Sequence, residues 1–144
     1  MTQEDKQLLL KDLCARVPYG VKVNENTQGD FTVIGLTMER VFTTCETEGC
    51  HNDFPIECVK PYLFPLSSMT EEQERELNKI FNVQFSGNDI LSIHFHPEGY
   101  WDTDLELDLQ DWLWFINWCY KNHFDVNNLI EKGLAIDATG LNIY

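Results

Sequence analysis

The stretch ECVKPYLFPLSSMTEEQEREL, residues 57–77, decides the fold, because strand-like sequence gives way here to the start of a helix. Pro61 and Pro65 fix their own φ angles and favour an extended residue before them, so this part of the chain cannot be a central strand. The segment PYLFPLSS lacks glycine and is rich in apolar residues, which indicates a stiff connector that packs. We therefore expect a single compact domain of two lobes, residues 1–66 and 67–144.

The end of the same stretch carries the signals of a helix N-terminus. Thr70 stands three residues before Gln73, the spacing of a capping box in which each side chain bonds the backbone amide of the other residue. Glutamates crowd the first turn, where negative charge is favoured by the positive end of the helix dipole. The sequence thus predicts a helix over residues 71–81.

Upstream, the residue patterns predict one helix and a small sheet. Residues 3–16 have apolar positions at helical spacing and end before Pro18 and Gly20, whereas the later segments alternate or are rich in β-branched residues. Short, closely spaced strands of this kind indicate a small curled antiparallel sheet, SH3-like and forming a partly open barrel. The first predicted strand is residues 20–25, and two more lie within 31–46, separated by a break at Met38–Arg40. The last is residues 54–63, whose prolines are compatible only with an edge strand or with the ends of a strand.

Downstream, we expect a helix-rich C-terminal half, which makes the fold class α+β. Alternation predicts a strand, apolar residues three and four apart predict helices, and the segment 105–109 fits both patterns. The predicted elements are a strand over 89–96, a short strand followed by a helix over about 108–122, and a short helix over 126–132 that Asp125 caps and Gly133 ends. An extended tail or a final strand follows.

The chain is strongly acidic, with a formal net charge of −14 over 144 residues. Residues 1–66 hold 6 bases and 10 acids, whereas residues 67–144 hold 4 bases and 14 acids. Such a surface repels nucleic acid and anionic membranes, so we expect direct binding to neither. It suits a basic protein partner, or it serves solubility alone. The lack of a signal-peptide pattern and of any long apolar run predicts a cytoplasmic location.

Two groups of cysteines and histidines have the chemistry of metal ligands, but neither has the spacing. The first group falls in a polar loop and lacks the separated Cys-Cys pairs of structural zinc sites. The second lies on one face of a predicted strand and lacks a third ligand at a fixed distance. We therefore predict no metal and no cofactor, and five cysteines without secretory features predict reduced thiols. The groups are Cys45, Cys50, His51 and Cys58, and His94 with His96.

The acidic run DTDLELDLQD, residues 102–111, is not a calcium-binding loop, because leucines stand where the loop requires glycine and glutamate. The chain also contains no nucleophile elbow, no phosphate-binding loop, no dinucleotide fingerprint and no His-Glu-x-x-His motif. These absences favour a binding protein over an enzyme. A metal-dependent hydrolase that uses His94, His96 and neighbouring acids remains an alternative.

The predicted helix over 108–122 carries more aromatic surface than one buried face needs. Trp114 and Trp118 share one stripe of this helix, and a large aromatic side chain buries ~150–250 Å². Most of the rings are expected to be core, but a leftover exposed face would associate. We predict that Trp114 or Trp118 lies in a homodimer contact, unless leucines of the N-terminal helix cover that face.

Three blocks of the chain resemble one family. They are LLLKDLCARVPYGVKV (8–23), ECVKPYLFPLSSMTEEQ (57–73) and KNHFDVNNLIEKGLAIDATGLNIY (121–144). In their order and in their residues, these blocks are similar to small acidic proteins of gut Bacteroidales prophages and mobile elements. The resemblance implies a phage or mobile-element accessory protein, and it supplies no activity and no catalytic residues.

Together these features predict a non-enzymatic accessory binding protein with a counter-defence role, which grips a host protein or sequesters a small signalling nucleotide. Aromatic residues on connectors would stack on or contact the ligand, and basic residues would converge on a phosphate. The second class is an acidic mimic of nucleic acid, built on residues 98–111, that inhibits a DNA-binding protein. The candidate binding residues are Tyr62, Phe64, Tyr100, Trp101, Arg16 and Lys60.

Overall fold

The computed structural model describes residues 1–44, 49–81, 94–95, 101–102 and 109–144. The chain divides into a first unit, Met1–Leu63 with Asn127–Tyr144, and a second unit, Phe64–Val126. The first unit is therefore built from two separate stretches of chain. In chain order the helices and strands are α1 (Gln3–Arg16), β1 (Lys22–Glu25), β2 (Gly29–Leu36), β3 (Arg40–Thr44), β4 (His51–Pro55), β5 (Val59–Leu63), α2 (Glu71–Phe81), β6 (His94–Phe95), β7 (Trp101–Asp102), α3 (Leu109–Lys121) and β8 (Ile136–Asp137).

The N-terminal helix α1 confirms the predicted helix over residues 3–16. A capping box starts it, since the Asp5 amide donates to Thr2 Oγ1 at 3.1 Å and the Thr2 amide donates to the Asp5 carboxylate at 3.0 Å. A 3₁₀ turn that contains Pro18 follows the helix. Gly20 then has a φ of 69°, a left-handed conformation that costs glycine little. The chain thereby turns from the helix into the sheet.

Within the described residues, six strands of the first unit form one sheet in the order β4-β3-β2-β1-β5-β8. Neighbouring strands are antiparallel except β5 and β8, which run parallel and pair Tyr62 with Ile136 and Leu63 with Asp137. The sheet is therefore mixed and not closed into a barrel, which corrects the prediction of an antiparallel sheet. The reason lies in the connection: β8 follows the whole second unit, and a long crossover permits the parallel direction that a hairpin excludes.

The inner face of this sheet packs against α1. Leu9 and Leu13 of the helix are fully buried among apolar side chains that alternate along the strands. Leu129, which follows the second unit in the chain, is fully buried in the same cluster. The returning chain therefore completes the core. The cluster members from the sheet and its turns are Val21, Val23, Phe31, Val33, Val41, Phe54, Ile56, Val59 and Leu63.

The predicted strand over residues 54–63 is interrupted. A 3₁₀ turn at Ile56–Cys58 separates the end of β4 from the start of β5. The two strands are not neighbours: among the described strands β4 lies at one edge of the sheet beside β3, whereas β5 pairs with β1. The chain must therefore bend between them, and Pro55 stands at the end of β4, a position that proline tolerates.

The predicted short helix that ends at Gly133 is a single turn instead. Asn128 has a φ of 55°, a left-handed conformation that cannot continue an α-helix. The turn closes in a Schellman pattern: the Leu134 amide donates to Leu129 O at 2.8 Å, and the Gly133 amide donates to Ile130 O at 3.0 Å. Gly133, with a φ of 70°, thus ends the turn at the predicted place.

The second unit contains α2, the strand pair β6–β7, and α3. The predicted capping box begins α2, since the Thr70 amide donates to Gln73 Oε1 at 2.9 Å and the Gln73 amide donates to Thr70 Oγ1 at 3.3 Å. Helix α3 ends one residue before the predicted end, and the predicted first residue, 108, lies outside the described residues. Of the predicted strand over 89–96, only β6 falls within the described residues. The buried cluster of this unit comprises Leu77, Phe115, Trp118, Cys119, Phe124 and Val126.

Candidate functional site

An ion pair lies buried in the first unit. Arg16 donates from Nε to Asp12 Oδ2 at 2.7 Å and from Nη2 to Asp12 Oδ1 at 2.9 Å, and neither side chain has exposed surface. Residues four apart share one face of a helix, so α1 itself brings the two groups together. Asn127 Nδ2 donates to Asp12 Oδ1 at 2.9 Å and ties the returning chain to the helix. This arrangement compensates a charge that would otherwise be costly to bury.

A second polar cluster joins β1, β2 and β5. Tyr62 donates its hydroxyl to Asp30 Oδ1 at 2.7 Å, and Asn24 Nδ2 donates to the same oxygen at 2.7 Å. The Tyr144 hydroxyl donates to Tyr62 O at 2.8 Å and accepts from the Lys22 amide at 3.2 Å. Tyr144 thus bridges β1 and β5 just beyond the last residue pair of their ladder.

Both tyrosine hydroxyls in this cluster have raised pKa values. Burial, followed by the hydrogen bond to Asp30 and the charge of its carboxylate, raises the pKa of Tyr62 to about 12. Burial likewise raises the pKa of Tyr144 to about 12. Both hydroxyls therefore keep their protons near neutral pH, which suits hydrogen-bond donors in the fold and not groups that exchange protons in catalysis.

We expect the first unit to lose stability as pH rises from about 10 to about 12, because the folded state holds these two protons more tightly than the unfolded state. The full contribution is present at lower pH. Urea unfolding across this range, followed by circular dichroism, measures the effect. Tyr62→Phe and Tyr144→Phe should each flatten the pH dependence. Equal slopes in all of these proteins would contradict the expectation.

Apolar side chains are exposed on the outer face of the sheet, the face opposite α1. Ile34 of β2 is 51% exposed, and Phe42 of β3 is 38% exposed. The pairing register shifts between Val33 and Gly35, so Ile34 is an extra residue in a β-bulge. A shallow cavity of about 220 Å³, which we name the outer-face groove, is lined by Ile34, Phe42, Thr43, His51, Asn52 and Asp53.

The outer-face groove borders an edge of the sheet, because β4 is the last strand of the sheet in the described residues. Arg40 of β3 reaches across to β4: its Nε is hydrogen-bonded to the Asp53 carboxylate, and its Nη2 donates to Asp53 O at 3.0 Å. His51 and Asp53 are both exposed. The site combines apolar side chains, an exposed carboxylate and the backbone of an edge strand, which suits recognition of a polypeptide.

Sequence reasoning missed the outer-face groove, although the residues carry a signal for it. Val33 and Ile34 are successive apolar residues that break alternation, and Gly35 follows them inside the strand. A glycine next to such a break is typical of a bulge. Phe42 lies between two buried residues of β3, which places its ring on the outer face, but the sequence alone does not show which residues of this strand are buried.

Three of the predicted binding residues lie in the first unit, in different surroundings. Arg16 is fully buried in its ion pair with Asp12. Tyr62 is 7% exposed, and its hydroxyl is bonded to Asp30. Lys60 is half-buried and, two residues before Tyr62, shares its face of β5. The structure gives Arg16 and Tyr62 roles in the fold, and their contact with a ligand stays a prediction.

The other predicted binding residues fall in the second unit. Phe64 packs against the buried cluster, with its ring centroid 6.3 Å from that of Phe124. Trp101 is placed in β7, where it pairs with Phe95. Tyr100 lies outside the described residues. A joint ligand-binding role for these aromatic residues therefore stays a prediction.

The two tryptophans predicted for a dimer contact differ in burial. Trp118 is 6% exposed and stacks on Phe124, with ring centroids 5.6 Å apart and an interplanar angle of 14°. Trp114 is 54% exposed, and Leu113 beside it is 51% exposed. Trp118 is therefore part of the core of the second unit, and Trp114 is the one that a partner could reach. The homodimer itself stays a prediction.

The residues with metal-ligand chemistry are only partly described. Cys45 and His96 lie outside the described residues. Among the residues that are described, no group of three or more His, Cys, Asp or Glu side chains is placed to hold a metal ion. Cys50 and Cys58 form no disulfide there, and Cys50 Sγ accepts from Asn52 Nδ2 at 3.5 Å.

Comparison with known proteins adds no family to this picture. No protein-family model, no curated protein and no solved structure matches the chain. The outer-face groove is therefore described by its own geometry and chemistry.

In the described part of the chain, no helix has the length and apolar character needed to cross a membrane.

Proposed function

We propose that this chain is a non-enzymatic binding protein that grips a host protein through its outer-face groove. The observation that carries the proposal is the position of the exposed Ile34 and Phe42 beside an edge of the sheet. In the setting that the sequence resemblance implies, it is a cytoplasmic accessory protein of a phage or mobile element, and its target belongs to a host defence system. An SH3-like curvature of the sheet and a helix-rich C-terminal half belong to the same proposal.

Exposed apolar side chains at a sheet edge are unfavourable in an isolated protein. Each Å² of apolar surface in contact with water costs roughly 25 cal/mol, and an open edge invites pairing with other chains. A bound partner would cover the exposed apolar side chains and pair with the open edge strand. Ile34 and Phe42 both expose apolar area that a partner would bury, so we expect each of them to contribute binding energy.

The charge of the chain favours a basic partner. The net charge is −14, and Asp53 in the outer-face groove is exposed. Attraction between opposite charges speeds encounter and orients the partner before contact. A basic protein surface with an apolar side chain at its centre therefore complements the groove.

A small signalling nucleotide has less support among the described residues. Its phosphates need accessible cations, whereas Arg16 is committed to Asp12 in the core and Lys60 is half-buried. Thermal-shift measurements with cyclic and ADP-ribose-type nucleotides test this alternative, and stabilisation at saturating concentration would favour it. The nucleic-acid mimic and the metal-dependent hydrolase rest mainly on residues outside the described part of the chain, so they stay alternatives.

Replacing Phe42 with alanine is expected to abolish capture of the host partner and to leave the fold intact, because the ring lies on the outer face. Loss of a central interface side chain costs about 2 kcal/mol or more, which is roughly a thirtyfold loss of affinity. The measurement is affinity capture from lysates of gut Bacteroidales on immobilised wild-type and variant chains, with quantitative mass spectrometry of the retained proteins.

Leu113→Ala is the matched control for this experiment. Leu113 is 51% exposed, so its replacement also removes exposed apolar surface, but it belongs to the second unit and not to the outer-face groove. A protein retained equally by all three chains is not held by the outer-face groove. The proposal fails if the partner retained by the wild-type chain is retained in equal yield by folded Phe42→Ala.

A further inference from the structure

We infer that the partner binds as an extra strand along β4, through an extended segment in which a lysine or arginine stands between two apolar residues. The inference rests on the proposed function and specifies the kind of segment that the groove recognises. It uses three features of the site: the backbone of β4, the carboxylate of Asp53 and the ring of Phe42. Strand addition of this kind takes affinity from main-chain hydrogen bonds and specificity from alternate side chains.

The backbone of β4 has one side bonded to β3 and one side open in the described residues. The Ile56 amide donates to Glu39 O at 2.9 Å, just past the end of the β3–β4 ladder. Bonded and non-bonded pairs alternate in an antiparallel ladder, so every second residue of β4 bonds to β3. The residues between them, Asp53 and His51, turn their amides and carbonyls to the open side. An added strand would therefore dock on Asp53 and His51.

Arg40 indicates which side chain this edge attracts. Its guanidinium bonds the Asp53 carboxylate and also donates to Asp53 O at 3.0 Å, a carbonyl on the open side. A cation thus already occupies the place where a strand would dock, and it protects the edge from unselective pairing. A lysine or arginine opposite Asp53 would replace Arg40 in this contact. The exchange costs little, because the side chains of Arg40 and Asp53 are 44% and 50% exposed.

The residues before and after the partner's lysine or arginine would be apolar because of the face of the sheet on which they lie. Side chains alternate along a strand, so these neighbours would lie on the inner face of the sheet, one opposite Phe54 and the other opposite the half-buried Asn52. Phe54 is 6% exposed and belongs to the core, which the added residues would extend at the edge. On the outer face, Phe42 pairs directly with Asp53 and would cover the apolar stem of the cation.

Peptide selection tests this inference even while the identity of the partner is open. A displayed library of random peptides ~12 residues long, enough to span β4 with flanking residues, is selected against the full chain. We expect the enriched sequences to share an apolar–Lys/Arg–apolar pattern and to lack proline within it. A synthetic copy of an enriched peptide should shift the backbone amide resonances of β4 more than those of any other strand.

Substitutions in β4 separate strand addition from simple side-chain contact. His51→Pro removes an amide on the open side, whereas His51→Ala removes the same imidazole and keeps the amide. We expect the proline variant to bind the selected peptide about tenfold more weakly than the alanine variant. Asp53→Lys should weaken binding by about the same factor, whereas Glu131→Lys, the same charge change at an exposed position of the first unit, should not. Amide spectra of the sheet residues verify that each variant is folded.

Enriched peptides without a basic residue, or equal binding by His51→Pro and His51→Ala, would overturn strand addition. A host protein that is lost with Phe42→Ala but retained by His51→Pro and Asp53→Lys would also overturn it and leave the proposed function standing. Conversely, peptides that follow the pattern and respond to both substitutions establish the edge site even if no host protein is captured. In that case the proposed function fails and strand addition stands.

Discussion

Asp12→Ala is expected to destabilise the first unit by about 3–5 kcal/mol, because it removes the counter-charge of a buried guanidinium. Asp12 binds Arg16 through two hydrogen bonds of 2.7 and 2.9 Å, and both side chains are fully buried. Asn127 loses its acceptor at Asp12 Oδ1 in the same variant, so the tie to the returning chain weakens as well. Most of the loss comes from the charge left in the interior and not from the lost volume.

Native-state hydrogen exchange measures this loss at amides of the sheet, such as that of Val33, which donates to Val21 O at 2.9 Å. Glu57→Ala is the control, because its pair with Lys6 is partly exposed and has a length of 3.5 Å, and such surface pairs contribute little to stability. Exchange that is as slow in Asp12→Ala as in this control would show that the buried pair is not needed.

A double variant tests the physical cause of this loss. Asp12→Leu combined with Arg16→Met removes both charges and keeps apolar volume in the core. Replacing a buried ion pair by apolar residues is often neutral or stabilising, so this protein should be more stable than Asp12→Ala. A double variant as unstable as Asp12→Ala would instead assign the loss to packing or to Asn127.

Trp118→Ala is expected to cost the second unit about 3–5 kcal/mol, whereas Trp114→Ala should cost no more than ~0.5 kcal/mol. Trp118 stacks on Phe124 in the buried cluster, and its removal leaves a cavity there. Trp114 lies four residues earlier on the same helix and is 54% exposed, so its replacement removes the same side chain without creating a cavity. The two variants therefore form a matched pair.

Hydrogen exchange at the Phe124 amide reports this effect, because that amide donates to Cys119 O at 2.9 Å within the second unit. Similar protection in both tryptophan variants would show that the stacked ring contributes little. Light scattering on Trp114→Glu tests the homodimer in the same series. A dimer held by Trp114 should dissociate into folded monomers, and a wild-type chain that is already monomeric at high concentration would exclude it.

Patterns among residues close in sequence predicted where the helices begin or end, because nearby residues decide these positions. Helix α1 ends before Pro18, and α2 begins where Thr70 and Gln73 place its capping box. Helix α3 ends one residue earlier than predicted. In each case the start or end of the helix is decided by a proline, a cap or an apolar spacing within a few residues, so one sequence contains the needed information.

Features that depend on distant residues could not be predicted in this way. The parallel pairing of β5 with β8 joins Tyr62 to Ile136, and no local pattern connects these positions. Arg16 has the pattern of an exposed cation at the end of a helix, yet Asp12 and Asn127 make its burial favourable. The exposure of the outer-face groove likewise depends on which parts of the chain cover each face of the sheet, which alternation alone does not specify.

The split of the first unit into Met1–Leu63 and Asn127–Tyr144 also constrains how the protein is made. A ribosome adds ~5–20 residues per second, so the strands β1–β5 wait on the order of seconds for β8 and Leu129. During this time the core lacks two of its buried leucines, Leu129 and Leu134, and one side of β5 has no partner strand. Loop closure becomes only slowly more costly with length, so the delay affects the risk of misassembly more than the final stability. A nascent chain that stalls before Asn127 would therefore be a target for chaperones and proteases, and the yield of folded protein would depend on translation speed across the second unit.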